Sequence, residues 1–219
     1  MWVNKDTDLY CSFAKTAGNV GCQRMNTAFY YYRLDKVYKS FSVDNIESAV
    51  DAVRCLGIKG FAVTMPYKIG VLSFLDNLST EVSEIGACNT VLNNNGVLTG
   101  YNTDVYAARI FLSKVDFRRM GMKTEKLLYI LGDGGYSKAV QCAARMLNLK
   151  FKIIRRDEWN DISNIKDSVV YNCTPVKAIT IDKSNVFIDS LMTTDSGMFL
   201  SDLQAAKQFE LYTNLRWPL

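Results

Sequence analysis

An α/β chain in two parts is what the sequence predicts, and three observations carry that expectation. The stretch DNIESAVDAVRCLG has apolar residues at helical spacing and is followed at once by the short apolar run FAVT, a helix feeding a buried strand. Further on, LLYILGDGGYSKAV reads as a buried strand, a glycine-rich turn and the start of a helix. The runs FKIIRR and SVVYNCTP follow it at the spacing of parallel strands, so the order strand, turn, helix, strand, strand repeats the logic of half a Rossmann fold.

In chain order, Val37 to Phe41 alternates like a strand, and Asp44 then caps a helix whose apolar stripe is Ile46, Val50, Val53 and Leu56. Glu47 lies three residues after Asp44 as in a capping box, and Gly57 ends the helix. Phe61 to Thr64 is a buried strand broken by Pro66, and IGVLSFLDNL reads as a helix. ACNTVLNNNGVLTGYNTD reads as a hairpin turning at its asparagines, with the second arm leaving at Gly100. Asp104 to Leu112 forms a helix linking the two parts. Next come the strand Leu127 to Leu131, the glycine turn and the helix Lys138 to Leu147. The crossover DEWNDISNIKD is short and weakly patterned, and FLSDLQAAKQFELYTNL is a final helix with an apolar face.

Composition narrows the chemistry. With 219 residues, 48% of them apolar, the chain can bury a real core. The 26 basic and 22 acidic residues give a net charge of +4 without any long basic run, which favours small anions weakly and does not imply nucleic acid. Six cysteines occur without a CxxC pair, and there is no histidine. Zinc sites and Cys/His or Ser/His/Asp catalysis therefore drop out, no metal is expected, and any general acid or base must be Lys, Asp, Glu, Tyr or Cys. MWVNKDTDLYCSF has no apolar signal region, and no run of about 18 apolar residues appears, so a soluble cytoplasmic protein with reduced thiols and no membrane partner is expected. Its partner would be a small-molecule substrate, and the protein a monomer or homodimer.

Two constellations carry chemistry. Gly132, Gly134 and Ser137 fit G-x-G-x-x-small between strand and helix. The first glycine permits the tight turn, the second lets backbone N–H groups approach a phosphate, and the small residue lets helix pack on strand. Such turns also arise for packing alone. Asp133 fills the variable second position, where its side chain can point away from the phosphates. About twenty residues on, Arg155-Arg156-Asp157 ends the next strand; arginine there suits a ribose 2′-phosphate and favours NADP over NAD, although Asp157 could instead pair with a 2′-hydroxyl. The second constellation is TMPYK, GACNT and GYNTD, three loops that could present Thr64, Lys68, Asn89 and Asp104 to one cleft. Asp104 could equally cap its own helix.

In their order, FAVTMPYK, EIGACNTVLNNNGVLTGYNTD, LGDGGYSKAV, VVYNCTP and DLQAAKQFELYT resemble the shikimate dehydrogenase family over nearly the whole chain. GNVGCQRMNTAF and FELYT resemble its shikimate dehydrogenase-like branch. The resemblance implies a substrate domain over 1–103, completed by a C-terminal helix at 199–219, and a reduced Rossmann-like NADP-binding domain over 104–198, with the active site in the cleft between them. It implies reversible hydride transfer between NADPH and 3-dehydroshikimate, or a related cyclic hydroxy acid. Lys68 and Asp104 match the catalytic pair, Thr64, Asn89 and Gln204 match residues that hold the ring hydroxyls, and YNCTP with Thr174 matches the nicotinamide side. Gly132, Gly134, Gly135, Tyr136, Ser137, Arg155 and Arg156 would hold the rest of the cofactor.

Four departures stand out. The usual S-x-S that grips the substrate carboxylate is Asn19-Val20-Gly21 here, which leaves Asn19 and Gly21 in the gripping positions, and the usual histidine before Asn26 is Met25. Ala62 stands where asparagine is common. The segment from Arg156 to Asn172 is too short for a helix-strand-helix excursion, and a strand and helix are missing after Phe187. These losses should uncover the sheet and weaken cofactor binding. They also raise the alternative of a catalytically silent relative that binds a metabolite or a protein.

Overall fold

The computed structural model describes residues 3–117 and 126–218. The fold is mixed α/β with two sheets, and the chain divides into two compact units, 1–103 with 205–219 and 104–204.

In the first unit, β1 (Asp8–Ala14) lies between β2 (Lys36–Ser42) and β3 (Gly60–Val63), parallel to both. The sheet continues through β5 (Thr90–Asn94) and β6 (Val97–Tyr101) to the two-residue β4 (Asn77–Leu78), giving the order β2-β1-β3-β5-β6-β4. Both faces are covered. Cys11 and Phe13 of β1 pack with Val50, Val53 and Phe61, whereas Tyr10 packs with Met25, Phe29, Phe209 and Tyr212. The helices responsible are α2 (Ile46–Leu56) on one face, and α1 (Val20–Tyr31) with the C-terminal part of α6 (Asp195–Thr213) on the other. Asn26 fastens α1 to β2: its Nδ2 donates to the Tyr38 carbonyl at 2.8 Å, and its Oδ1 accepts from the Tyr38 N–H at 2.8 Å.

Several local expectations shift. The cap of α2 is Asn45, whose Oδ1 accepts from the Ser48 N–H at 3.0 Å, while the neighbouring Asp44 pairs with Lys15 at 2.5 Å. Leu56 is 70% exposed and off the buried stripe, because Gly57 turns left-handed (φ 64°) straight after it. IGVLSFLDNL forms a 3₁₀ turn, Gly70–Phe74, followed by β4, because Asp76 is drawn out to accept the Leu98 N–H at 2.6 Å. The hairpin β5–β6 turns on Asn95 (φ 51°) and Gly96 (φ 92°), the left-handed pair that suits strand twist.

The second unit is a four-stranded parallel sheet, β10 (Val186–Asp189), β9 (Val169–Asn172), β7 (Leu128–Leu131) and β8 (Phe151–Ile154), in the order β10-β9-β7-β8. One face buries Leu128, Ile130, Val169 and Tyr171 against Ala107, Ala108 and Leu112 of α4 (Thr103–Ser113) and against Val140 and Ala143 of α5 (Gly135–Met146). Helix α5 starts three residues earlier than its apolar pattern suggests, at Gly135. The other face is covered as well. The crossover is a 3₁₀ segment, Arg156–Asn164, whose Ile162 packs with Ile165 onto Leu131, Ile154 and Val170, with Trp159 and Ile181 around them. The shortened crossover therefore shields the sheet that it was expected to leave bare. Among the described residues, no helix is long and apolar enough to cross a membrane.

Candidate functional site

Strand β7 is where the chain order of the second sheet reverses, with β8 on one side and β9 on the other. Such a reversal leaves a crevice beyond the carboxyl ends of the strands, the place where open α/β sheets bind ligands. The glycine turn stands there. Gly132 has φ 94°, a conformation that L side chains rarely adopt, and a Cβ on it would lie 2.7 Å from the Thr174 methyl. Its N–H donates to the Ile154 carbonyl at 2.9 Å. Gly134 is the N-cap of α5, with no side-chain cap, and a Cβ there would meet open space. The first N–H groups of α5 thus end at a surface that a phosphate can approach, with the positive end of the helix behind them.

Next to this turn is a pocket of about 470 Å³, lined by Gly132, Asp133, Arg155, Arg156, Asp157, Trp159, Thr174, Pro175 and Val176. Its residues come from the ends of three neighbouring strands: the turn after β7, the segment after β8 and the loop after β9. That loop is rigidly built. Asn172 Oδ1 accepts from the Thr174 N–H at 2.9 Å and from the Thr174 hydroxyl at 2.7 Å, and Asn172 Nδ2 donates to Asp189 at 3.0 Å. Uncapped helix N–H groups, a glycine-floored approach and two arginines fit a dinucleotide phosphate group.

Not every residue of the glycine motif faces the pocket. The Ser137 hydroxyl is buried and donates to the Gly132 carbonyl at 2.7 Å, which locks the turn onto α5. The Tyr136 and Tyr171 hydroxyls hydrogen-bond each other at 2.9 Å, and burial pushes both phenols up from their ordinary pKa. Asp133 takes a definite place beside the turn. Its side chain lines the pocket, where its Oδ2 accepts from Arg155 Nε at 3.0 Å. The signal was in the register: Leu131 pairs with Ile154 across β7 and β8, so residues just beyond them are neighbours.

In the first unit, the loops after β1, β3 and α3 (Thr80–Ile85) meet at one end of the sheet. Asn19 and Gly21 stand at the exposed start of α1, beyond β1. Thr64 is exposed just past β3, with its N–H on the Phe13 carbonyl at 3.1 Å. Backbone bonds from the Cys88 N–H to the Lys68 carbonyl at 2.8 Å and from the Val63 N–H to the Asn89 carbonyl at 2.8 Å bring Thr64, Lys68 and Asn89 onto adjoining loops. Asn89 is buried, and its Oδ1 accepts from the Thr103 N–H at 2.8 Å and from the Thr90 hydroxyl at 3.0 Å. Its Nδ2 donates to the Thr103 hydroxyl at 3.1 Å, and among the described residues its second amide hydrogen has no partner. Asn89 therefore first serves to hold the residue before Asp104. Asp104 is itself buried in the first turn of α4, two positions past Asn102, where a cap would stand. Gln204 is half-buried on α6, while Gln208, which the sequence did not single out, donates to the buried Thr90 hydroxyl at 2.9 Å.

Known proteins resemble this chain in sequence and fold. A profile of the shikimate dehydrogenase substrate binding domain matches residues 21–91. A shikimate dehydrogenase-like protein of Haemophilus influenzae is 31% identical over 98% of this chain and 93% of its own length. A shikimate dehydrogenase (NADP(+)) of Pyrococcus abyssi is 38% identical over 74% of this chain, and the match spans 52% of that protein. A solved structure of a shikimate 5-dehydrogenase-like protein matches with a TM-score of 0.82 at 28% identity, covering 98% of this chain and 94% of that one. The chain belongs to the shikimate dehydrogenase family.

Proposed function

We propose that this protein is an NADP-dependent oxidoreductase that interconverts a cyclic hydroxy acid of the shikimate type and its ketone. Residues 1–103 with the C-terminal helix would hold the substrate, and residues 104–198 the dinucleotide. The observation that carries the proposal is the glycine turn at the strand-order reversal, with Gly132 at φ 94°, the open N-cap Gly134, and Arg155 and Arg156 lining the pocket beside it. Membership of a family with NADP(+)-dependent shikimate dehydrogenases supports it.

The chemistry asks for one proton-handling group. When bound, the cofactor supplies the hydride acceptor or donor. A secondary alcohol that loses hydride becomes a ketone only if its O–H proton also leaves, and we assign Lys68 Nζ, in its amine form, to take that proton. In the reverse direction the ammonium returns it. Asp104 would orient the lysine and accept from the substrate hydroxyl, with Thr64, Asn89 and Gln204 binding the remaining ring hydroxyls. Asn19 and Gly21 offer a poorer grip on the carboxylate than two hydroxyls would. Losing one hydrogen bond to a charged group weakens binding by roughly 1.5 to 3 kcal/mol, so a raised KM for shikimate is expected.

The test follows nicotinamide absorbance with shikimate, quinate and aminoshikimate. Turnover that falls by at least about 100-fold in Lys68→Ala supports the assignment, in line with the usual worth of a general acid–base group. Wild-type turnover left intact by that substitution would refute the role of Lys68. The replaced carboxylate grip favours one second reading, a relative that binds a metabolite without turning it over. Cofactor and shikimate binding without any turnover would select it.

A further inference from the structure

Resting on the nucleotide-binding reading above, we infer that Asp133 sets how strongly this pocket prefers a 2′-phosphorylated dinucleotide over an unphosphorylated one. Asp133 Oδ2 accepts from Arg155 Nε at 3.0 Å, and that single contact is the whole pairing. Asp133 Oδ1 and both Nη nitrogens of Arg155 have no protein partner among the described residues. Both side chains line the same pocket, and the β7–β8 register holds them together at the ends of adjacent strands.

A ribose entering there meets an open guanidinium fork and an open carboxylate oxygen side by side. The fork suits a phosphate, because planar N–H pairs match phosphate oxygens. The carboxylate acts in the opposite sense. It repels a 2′-phosphate and draws off part of the Arg155 charge, yet it can accept a hydrogen bond from a free 2′-hydroxyl. Arg156 and Asp157 line the same pocket, so the formal charges of the four groups cancel. Arginine alone would make the pocket selective for the phosphorylated cofactor; with Asp133 beside it, the same pocket takes both.

The pair is largely exposed, with 63% of the Arg155 side chain and 37% of the Asp133 side chain accessible, so each interaction is worth only a few-fold in affinity. Removing Asp133 moves both cofactors in opposite directions, and their ratio changes by the product, on the order of three- to ten-fold.

The experiment is calorimetric titration of wild type, Asp133→Ala, Arg155→Ala and the double variant with NADP and NAD, and with 2′,5′-ADP and 5′-AMP as half-cofactors. Thermal melts verify that each variant is folded. Expected are binding of both cofactors by wild type, and an NADP-to-NAD affinity ratio that rises in Asp133→Ala. The same rise should appear between the two half-cofactors, and it should shrink in the Arg155→Ala background because part of the effect runs through Arg155. A ratio that stays level or falls in Asp133→Ala overturns the inference while leaving the nucleotide-binding reading intact, and a rise of equal size with and without Arg155 overturns the part of it that runs through Arg155. Absence of any nucleotide binding by wild type and all variants overturns both.

Discussion

Replacing Gly132 with alanine should destabilise the second unit, for two reasons that can be separated. The backbone at φ 94° lies in the left-handed region, and an L side chain there costs about 1 to 2 kcal/mol. The new Cβ would also lie 2.7 Å from Thr174 Cγ2. That methyl cannot simply swing aside, because the Thr174 hydroxyl donates to Asn172 Oδ1 at 2.7 Å and accepts from the Val176 N–H at 3.2 Å, bonds worth about 1 kcal/mol each. Together the two effects come to about 2 to 4 kcal/mol. Thr174→Ser keeps the hydroxyl and deletes the methyl, so combining it with Gly132→Ala should restore about 1 to 2 kcal/mol and leave the backbone part. Gly134→Ala is the control: with φ −85° and open space around it, alanine should cost under about 1 kcal/mol, yet its methyl should weaken phosphate approach. Urea unfolding with amide exchange read at β7 and β9 measures the stabilities, and NADP titration measures binding. A Gly132→Ala protein within about 0.5 kcal/mol of wild type, or a Thr174→Ser background that restores nothing, would refute this account of the turn.

Two further outcomes follow from the first unit. Asn26→Ala removes two hydrogen bonds to the Tyr38 backbone and those to the Cys22 carbonyl and Sγ, and should cost about 2 to 4 kcal/mol in urea unfolding. The Asp76 carboxyl is held below its ordinary pKa, first by the Leu98 N–H and then by Arg54. A depressed carboxyl adds stability above its unfolded-state pKa and loses it as pH falls through the folded value, so Asp76→Asn should flatten the decline in unfolding midpoint below about pH 4.

The parts of the fold that the sequence makes legible are those whose signal is local. The spacing of Val50 and Val53 marks α2, the Asn95-Gly96 turn marks the hairpin, and the glycine turn between β7 and α5 is visible from composition alone. Strand β1 escapes because both its faces are buried: Tyr10 and Phe13 pack on opposite sides, so LYCSFA shows no alternation. Helix α1 is hidden for the opposite reason, since Val20, Tyr30 and Tyr31 are exposed and blur the stripe of Met25, Ala28 and Phe29. The choice of Asp44 over Asn45 as a cap fails on a distant partner, Lys15, which only the parallel pairing of β1 and β2 brings near. In the candidate site, Gly132 and Arg155 are readable from motif spacing, and Thr174 only through the family resemblance. That Asn89 and Gln208 spend hydrogen bonds on Thr103 and Thr90, far away in sequence, is not.

The shortened crossover bears differently on function than its length suggests. A doubly wound sheet needs its strand-order reversal to make a crevice, and the strands that create it here are the inner ones, β7 and β9, with β8 beside them. Outer strands add burial and edge protection; they do not make the crevice. The face over β8 would lie open if nothing replaced the lost layer, but the 3₁₀ segment Arg156–Asn164 lays Ile162 across Leu131 and Ile154. The same segment carries Arg156, Asp157 and Trp159 into the pocket wall. One short element thus covers the sheet and lines the pocket, which ties the two properties together. A substitution such as Ile162→Ala, which loosens that packing, should weaken nucleotide binding although Ile162 itself does not line the pocket. A chain trimmed at the sheet edges alone would show no such link.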